Sequence, residues 1–143
     1  MDSSLMFLGL IHKAGCLEIG EENVVLAAED VKARCFLNAL DASDGSKRRA
    51  GYLAEECRVP QIVLPYTKAE LSRVIGRGRP GVMAITDIGF AAKFAEKLAG
   101  MDSSYASAFE VLSLKKKRAD ERKEARKAEQ KLNSGSTVKR RSK

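Results

Sequence analysis

Side chains suited to acid, base or nucleophilic chemistry are few in this sequence. His12 is the single histidine, and it lies next to Lys13 in a chain that has no Gly-x-Ser-x-Gly motif. Asp41 and Asp44 lie three residues apart where a predicted strand ends, a position at which α/β proteins often contact ligands. The same Asp-x-Ser-Asp sequence is also typical of a turn that caps the next helix. We favour the turn and expect no catalytic residue.

The cysteines do not form a metal-binding pattern. Cys16, Cys35 and Cys57 are far apart, are odd in number and include no Cys-x-x-Cys pair. With one histidine they cannot supply four zinc ligands unless carboxylates join them. We therefore expect reduced core thiols, a cytoplasmic protein, no metal site and no cofactor.

A basic, glycine-rich loop over residues 76–81 reads Gly-Arg-Gly-Arg-Pro-Gly and formally matches the dinucleotide fingerprint. Its context argues against that function, because it follows a predicted helix, leads into a strand and lacks an amide donor at Pro80. Residues 77–80 also match the core of the AT-hook, whose arginines enter the minor groove of A·T-rich DNA. Contact with RNA, or a plain helix-to-strand turn, explains the same residues.

Positive charge is concentrated at one end of the chain. The 143 residues include 26 Lys and Arg against 19 Asp and Glu, a net charge of +7. Residues 115–143 hold 13 basic and four acidic residues, a net of +9, which leaves −2 for the rest. A neutral body with a cationic tail is typical of proteins that bind nucleic acid or a membrane surface. We expect no membrane partner, because the only apolar side chains in residues 115–131 are alanines.

Strands and helices alternate along the first hundred residues. Apolar residues spaced by three and four predict helices, and short apolar runs between Gly, Pro or Asp predict strands. The predicted helices cover residues 3–14, 21–30, 44–57, 67–75 and 87–98, and the predicted strands cover residues 17–19, 34–40, 62–64 and 82–86. Thr67, with Glu70 in a capping box, and Asp87 are predicted to cap helices. The alternation indicates a layered α/β domain with helices on both faces of a small sheet.

The sequence changes character after residue 100. Residues 101–114 form a transition segment to which we assign no state. Residues 115–132 are rich in strong helix formers but have no apolar face, so we expect a solvated helix that does not pack on the body. Residues 133–143 are predicted to be disordered. The expected organisation is a domain over residues 1–100, the transition segment, and a basic tail over residues 115–143.

Several short segments, taken in order, resemble one known family. They are Leu-Gly-Leu at 8–10, Lys-Ala-Gly at 13–15, Gly-Glu-Glu at 20–22, the stretch 37–43, Val-Pro at 59–60 and the stretch 86–91. Together they resemble the small bacterial YlxQ-type proteins of the kink-turn RNA-binding ribosomal protein family (the L-seven-Ae/L-thirty-e family), over about residues 4–98. The resemblance implies a three-layer α/β/α sandwich with a mixed four-stranded sheet and RNA binding without catalysis.

The resemblance also implies a binding site. In that family a Gly-x-Asn-Glu-x-x-Lys segment at the start of the second helix reads the sheared G·A pairs of a kink-turn, and a loop before the last strand covers an extruded base. Here the segment starts at Gly20, but Glu22 stands at the Asn position, Asn23 at the Glu position and Leu26 at the Lys position. The lost lysine and added carboxylate predict weaker kink-turn binding than in a typical member. Alternatively, Glu21 and Glu22 only favour the helix dipole.

The function predicted from the sequence is binding of ribosomal or other structured RNA by a monomeric, ribosome-associated protein that is not an enzyme. The basic tail is expected to add phosphate contacts that weaken steeply with salt. Two alternatives are a protein-interaction domain of the same fold that has lost kink-turn specificity, and DNA binding through the loop over residues 77–80. The predicted RNA-binding residues are Gly20, Glu22, Asn23, Lys47, Arg48, Arg77, Arg79, Pro80, Gly81, Val82, Lys115, Lys116, Lys117 and Arg118.

Overall fold

The structure, a computed structural model, describes residues 2–76 and 78–141, with side chains as far as residue 133. Its strands are β1 (Leu17–Ile19), β2 (Cys35–Asn38), β3 (Gln61–Val63) and β4 (Val82–Ile85). Its helices are α1 (Ser3–Lys13), α2 (Glu21–Glu29), α3 (Asp44–Cys57), α4 (Lys68–Ile75), α5 (Ile88–Met101) and α6 (Ala106–Arg141), with a single 3₁₀ turn (Ser103–Tyr105) before α6. The predicted α/β alternation is confirmed, and each predicted element is present.

The four strands form one mixed sheet in the order β1-β4-β2-β3. β4 runs antiparallel to both of its neighbours, with Met83 opposite Ile19 on one side and Leu37 on the other. β2 and β3 are parallel, and Leu37 pairs with Ile62. A parallel pair needs a crossover connection, which α3 supplies. The mixed four-stranded sheet implied by the resemblance is therefore confirmed.

Helices cover both faces of this sheet because successive strand residues point to opposite sides. On one face, which we call the α1 layer, α1, α4 and α5 bury residues such as Leu8 and Phe94 against Leu37. On the other face, the α2 layer, α2 and α3 bury Val24 and several alanines against Phe36. Small side chains in the α2 layer let both helices lie close to the sheet. The expected three-layer α/β/α sandwich is confirmed.

Side-chain caps fix where several helices begin. The Thr67 and Glu70 side chains form the predicted capping box at the start of α4. The Asp87 carboxylate accepts a hydrogen bond from the Phe90 amide at 2.9 Å, as predicted for the start of α5. Both caps satisfy amides that have no partner within their helix.

Asp2 caps α1 and also ties it to the chain before α4. Its carboxylate accepts from the Leu5 amide at 2.9 Å and from the Tyr66 hydroxyl at 2.7 Å. Ser4 bonds both the Asp2 carboxylate and the Tyr66 hydroxyl. Burial raises the pKa of the Asp2 carboxyl, but the hydrogen bonds from Tyr66, Leu5 and Ser4 outweigh burial and lower that pKa overall.

The start of the tail lies along the body, contrary to the prediction, because the helix that carries it docks through residues that precede the tail. α6 already begins at Ala106, so most of the transition segment is helical. Leu112 is fully buried in the α1 layer, and Phe109 packs against the same core. Further along, a Cβ atom placed on Gly89 would lie 3.3 Å from Lys116 Cε, so α6 runs back along α5 to its first turn. The segment 101–114 supplies the apolar contacts that residues 115–132 lack.

The middle of the tail is exposed, as expected for a solvated helix. Every residue from 120 to 133 is exposed. Where the sequence predicts disorder from residue 133 onward, α6 instead continues to Arg141. The division of the tail into a helical and a disordered part stays a prediction.

Truncating Leu112 is expected to show that the core includes the start of α6. Leu112→Ala should lower the free energy of unfolding by about 2–5 kcal/mol, because it removes a fully buried side chain and leaves a cavity. Leu114→Ala is the matched control, since Leu114 is 48% exposed, and it should cost less than about 1 kcal/mol. Urea denaturation of both variants measures the difference. Equal losses would show that α6 does not dock.

Removing the Tyr66 hydroxyl should destabilise the protein in a pH-dependent way. Tyr66→Phe is expected to cost about 1 kcal/mol near neutral pH, because the Asp2 carboxylate loses a donor. The folded-state pKa of Asp2 is lowered, so its contribution to stability is present above the unfolded pKa of about 3.9 and is lost as pH falls through the folded pKa. The variant and the parent should therefore converge in acid. Tyr52→Phe, at an exposed tyrosine, should change nothing in the same denaturation series.

Candidate nucleic-acid interface

A shallow hollow of about 350 Å³, which we call the α2 groove, lies at the start of α2. It is lined by Ile19, Gly20, Glu21, Ser46, Gly78, Arg79, Pro80, Gly81 and Val82. The sheet produces it: β1 and β4 are antiparallel neighbours, so the end of β1 meets the loop before β4. The Gly20 amide donates to the Val82 carbonyl at 3.0 Å, with a φ of +93° that favours glycine. The structure thus brings together the two segments that the sequence singled out.

Glu21 is held by α3 at the wall of this groove. Its carboxylate accepts from the Arg49 guanidinium at 2.9 Å and from the Ser46 hydroxyl at 3.1 Å. The Arg49 hydrogen bond lowers the pKa of Glu21, opposed by burial and supported by Ser46, and the same contact raises the pKa of Arg49. Glu21 and Glu22 are the two adjacent carboxylates at the start of α2. The first of them, Glu21, is therefore paired with a cation.

Sequence reasoning did not assign Glu21, Ser46 and Arg49 to the site. A signal for them exists in α3, where Ser46, Ala50 and Ala54 recur every four residues and are buried. Arg49 flanks this buried stripe one turn after Ser46. Its pairing with Glu21 needs the packing of α2 beside α3, which no local pattern contains.

The residues at the positions predicted to recognise the G·A pairs of a kink-turn are exposed on the first turns of α2. Glu22 and Asn23 both face solvent, and the Asn23 amide donates to the Ile19 carbonyl at 3.0 Å. Leu26 lies one turn further along and is 50% exposed. Residues three and four apart share a helix face, so these three side chains form one surface patch beside the groove.

The loop before β4 presents fewer side chains than predicted. Arg79 is exposed, whereas Pro80 and Val82 are buried, and Val82 belongs to the core of the α2 layer. The Gly81 carbonyl accepts from the Ala39 amide at 3.0 Å, which anchors the loop on β2. Arg77 lies outside the described residues. In the described part of this loop, Arg79 and the glycine backbone are what a ligand would meet.

Lys47 and Arg48 point away from the α2 groove. They line a separate hollow of about 600 Å³ along α3, together with Tyr52 and Arg58. The Lys47 ammonium donates to the Leu40 carbonyl at 3.1 Å. Neighbouring positions on a helix differ by about 100°, which is why these two side chains leave the side of α3 that Ser46 and Arg49 occupy.

The basic start of the tail also lies away from the α2 groove. Lys115 and Arg118 line a cleft at the far end of α2, where Val31 follows the helix. The nine residues of α2 separate the two sites by about 14 Å. Lys116 pairs with Asp120 at 2.6 Å, and Lys117 is exposed. The structure therefore divides the predicted RNA-binding residues among three regions.

In residues 2–76 and 78–141, no three His, Cys, Asp or Glu side chains come together in a way that would hold a metal ion. Within the same residues, no helix is long and apolar enough to cross a bilayer. Cys35 is fully buried in the α1 layer, and this burial raises the pKa of its thiol to about 12.

Comparison with known proteins finds relatives that match about two thirds of this chain. No family model matches the chain. The RNA-binding protein YlxQ of Enterococcus faecium is 33% identical over 97 residues, which are 68% of this chain and 92% of that protein. The RNA-binding protein YlxQ of Bacillus subtilis strain 168 is 32% identical over 90 residues, which are 60% of this chain and 85% of that protein. A solved structure of a protein with unknown function from Bacillus halodurans C covers 67% of this chain and 96% of its own, with a TM-score of 0.62 and 28% identity.

The extent of these matches decides what they mean. Both YlxQ proteins are matched over most of their lengths, so the similarity concerns a whole small domain and not a local motif. About a third of this chain lies outside the longer match. Because it is 33% identical to the Enterococcus faecium protein over nearly all of that relative, the chain belongs to the YlxQ family.

Proposed function

We propose that this protein is a cytoplasmic, monomeric, ribosome-associated RNA-binding protein that is not an enzyme and that recognises kink-turns through the α2 groove. The names of its two YlxQ relatives support RNA binding. The resemblance of its segments to the ribosomal kink-turn family supports the ribosomal and kink-turn parts of the proposal. Both lines concern the domain that carries the groove.

The observation that carries the proposal is the uncapped start of α2. The first amides of a helix have no carbonyl partner within it, and they carry the positive end of the helix dipole. α1, α3, α4 and α5 each have a capping side chain, whereas Gly20 gives α2 none. The amides of residues 21–23 are thus available to a phosphate at the groove.

Side chains beside these amides suit base edges. The Glu22 carboxylate accepts hydrogen bonds only, which matches the amino and imino donors of guanine. One N–H of the Asn23 side-chain amide donates to the Ile19 carbonyl, and the side-chain oxygen is available as an acceptor. Arg79, on the opposite wall, is placed to contact phosphate as the RNA backbone passes. Sheared G·A pairs expose such guanine edges where a regular duplex does not.

The structure supports the two alternative functions, protein interaction and DNA binding, unequally. Protein interaction is favoured by Val25 and Leu26, two apolar side chains exposed on α2. DNA binding through residues 77–80 requires an extended, accessible hook, but Pro80 is buried against the body. We therefore keep protein interaction as the second candidate.

Titration of the full chain with a kink-turn RNA, and with the same RNA whose G·A pairs are replaced by Watson–Crick pairs, tests the proposal. We expect several-fold tighter binding of the intact kink-turn at both about 50 mM and about 200 mM salt, with a steep loss of affinity for both RNAs as salt rises. Equal affinities at both salt concentrations would contradict kink-turn recognition. No measurable binding to either RNA would favour protein interaction.

Restoring the family lysine should strengthen RNA binding. Leu26→Lys adds a cation beside the uncapped helix start, and we expect about three- to tenfold tighter kink-turn binding with a salt slope steeper by about one. Leu10→Lys is the matched control, because Leu10 is 57% exposed on α1, across the sheet from the groove. It adds the same charge and should change affinity less than about twofold. If both variants gain equally, net charge and not the groove sets the affinity.

A further inference from the structure

A cleft of about 430 Å³, which we call the basic cleft, opens between the body and α6. Arg34, from the start of the segment that forms β2, lines one side. Lys115, Arg118 and Arg122 of α6 line the other side. We propose that the basic cleft is a second phosphate-binding site that holds the RNA backbone, separate from the α2 groove; that its ligand is RNA rests on the function proposed above.

Within the described residues, the cations that line this cleft form no ion pair with a carboxylate. None of the cleft-lining residues that the structure describes is acidic. Arg34 donates to the Val31 carbonyl at 3.1 Å, and Lys115 donates to the Arg58 carbonyl, so both bond neutral acceptors. Burial, followed by the nearby charges of Arg34 and Arg118, lowers the pKa of the Lys115 ammonium. Like charges held this close favour an anion between them.

Packing of α6 beside α5 places the cationic residues of α6 next to the body. Ala119 of α6 and Ile88 of α5 both line the cleft, and a residue as small as Ala119 allows the two helices to lie close together. Arg118 and Arg122 are four residues apart, so they share one helix face with Cβ atoms about 6 Å apart. Arg34 comes from the body, which makes the site composite. A free basic tail would bind phosphates without any help from Arg34.

Backbone conformation at the same place is unusual. In the described part of the chain, Val31 and Arg58 are the two non-glycine residues with positive φ, each at 56°. They follow α2 and α3, and their carbonyls accept from Arg34 and Lys115. A β-branched residue in this region is strained, and such strain is often found at functional sites. The turns that carry the strain also hold two of the four cations.

The ligand chemistry favours phosphate. Three of the four cations are arginines, whose planar guanidinium donates two parallel hydrogen bonds to a phosphate. A carboxylate accepts the same geometry, so an acidic peptide is the competing ligand. RNA is favoured because the YlxQ relatives are named as RNA-binding proteins.

Neutralising Arg34 in the full chain tests whether the body takes part. Arg34→Gln should weaken binding of both the kink-turn RNA and its G·A-replaced partner by about three- to fivefold and lower the salt slope by about one. Lys32→Gln is the matched control, because Lys32 is exposed two residues away and does not line the cleft. It should change affinity less than about twofold. Equal effects of the two substitutions would overturn the proposal.

A second pair of variants separates the cleft from the rest of α6. Arg118→Gln/Arg122→Gln should weaken binding of both RNAs about tenfold, whereas Lys127→Gln/Lys131→Gln, with the same spacing and charge, should cost less than about threefold. All four side chains are exposed, so the melting temperatures of both double variants should match that of the parent protein. Equal losses from the two double variants would overturn the proposal. The proposal is also overturned if Arg118→Gln/Arg122→Gln loses binding to polyglutamate while its RNA binding is unchanged. That result would indicate an acidic protein partner.

These measurements also distinguish the two sites. If the cleft variants weaken both RNAs equally, the preference of the full chain for the intact kink-turn should be unchanged. If the parent protein shows no such preference while the cleft variants still weaken binding, kink-turn recognition fails and the second phosphate site stands. If the preference is present and the cleft variants match their controls, the second site fails and the proposed function stands.

Discussion

β4 is the strand on which the rest of the structure depends, because it lies between β1 and β2 and runs antiparallel to both. At its start, the Val82 carbonyl accepts from the Gly20 amide and fixes the first turn of α2 beside the loop that precedes β4. At its end, the Ile85 carbonyl accepts from the Arg34 amide at 2.7 Å and places the wall of the basic cleft. One strand of four residues therefore positions both candidate sites, at its two opposite ends.

Much of the fold was predictable because its signals are local. The apolar spacing in α1 and α5, the Pro residues on either side of β3 and the Thr67 capping box each depend on a few neighbouring residues. The buried runs that became β2 and β4 are bounded by breakers, so their positions followed from the sequence, although both strands are shorter than predicted. The resemblance to a known family then added the mixed four-stranded sheet, whereas the strand order β1-β4-β2-β3 came only from the structure.

What the sequence did not predict depends on contacts between distant segments. The docking of α6 required Leu112, which lies in a stretch too short and irregular to reveal a helical face. The ion pair between Glu21 and Arg49 joins residues 28 positions apart, and the burial of Pro80 depends on how its loop meets the body. The separation of Lys47 and Arg48 from the groove follows from helix phase. Residues of one charge run can thus serve different surfaces.

The length of α6 gives the molecule reach. Its 36 residues span about 54 Å, and the 15 residues after Arg126, the last residue that lines a hollow with the body, extend about 22 Å further. A nucleic-acid backbone that binds this end of α6 stays within that distance of the domain. Such tethering raises the effective concentration of the bound ligand at the second binding surface into the millimolar range. A ligand released from one surface therefore rebinds before it diffuses away. Under the proposed function, weak individual contacts then add up to a long residence time on one RNA.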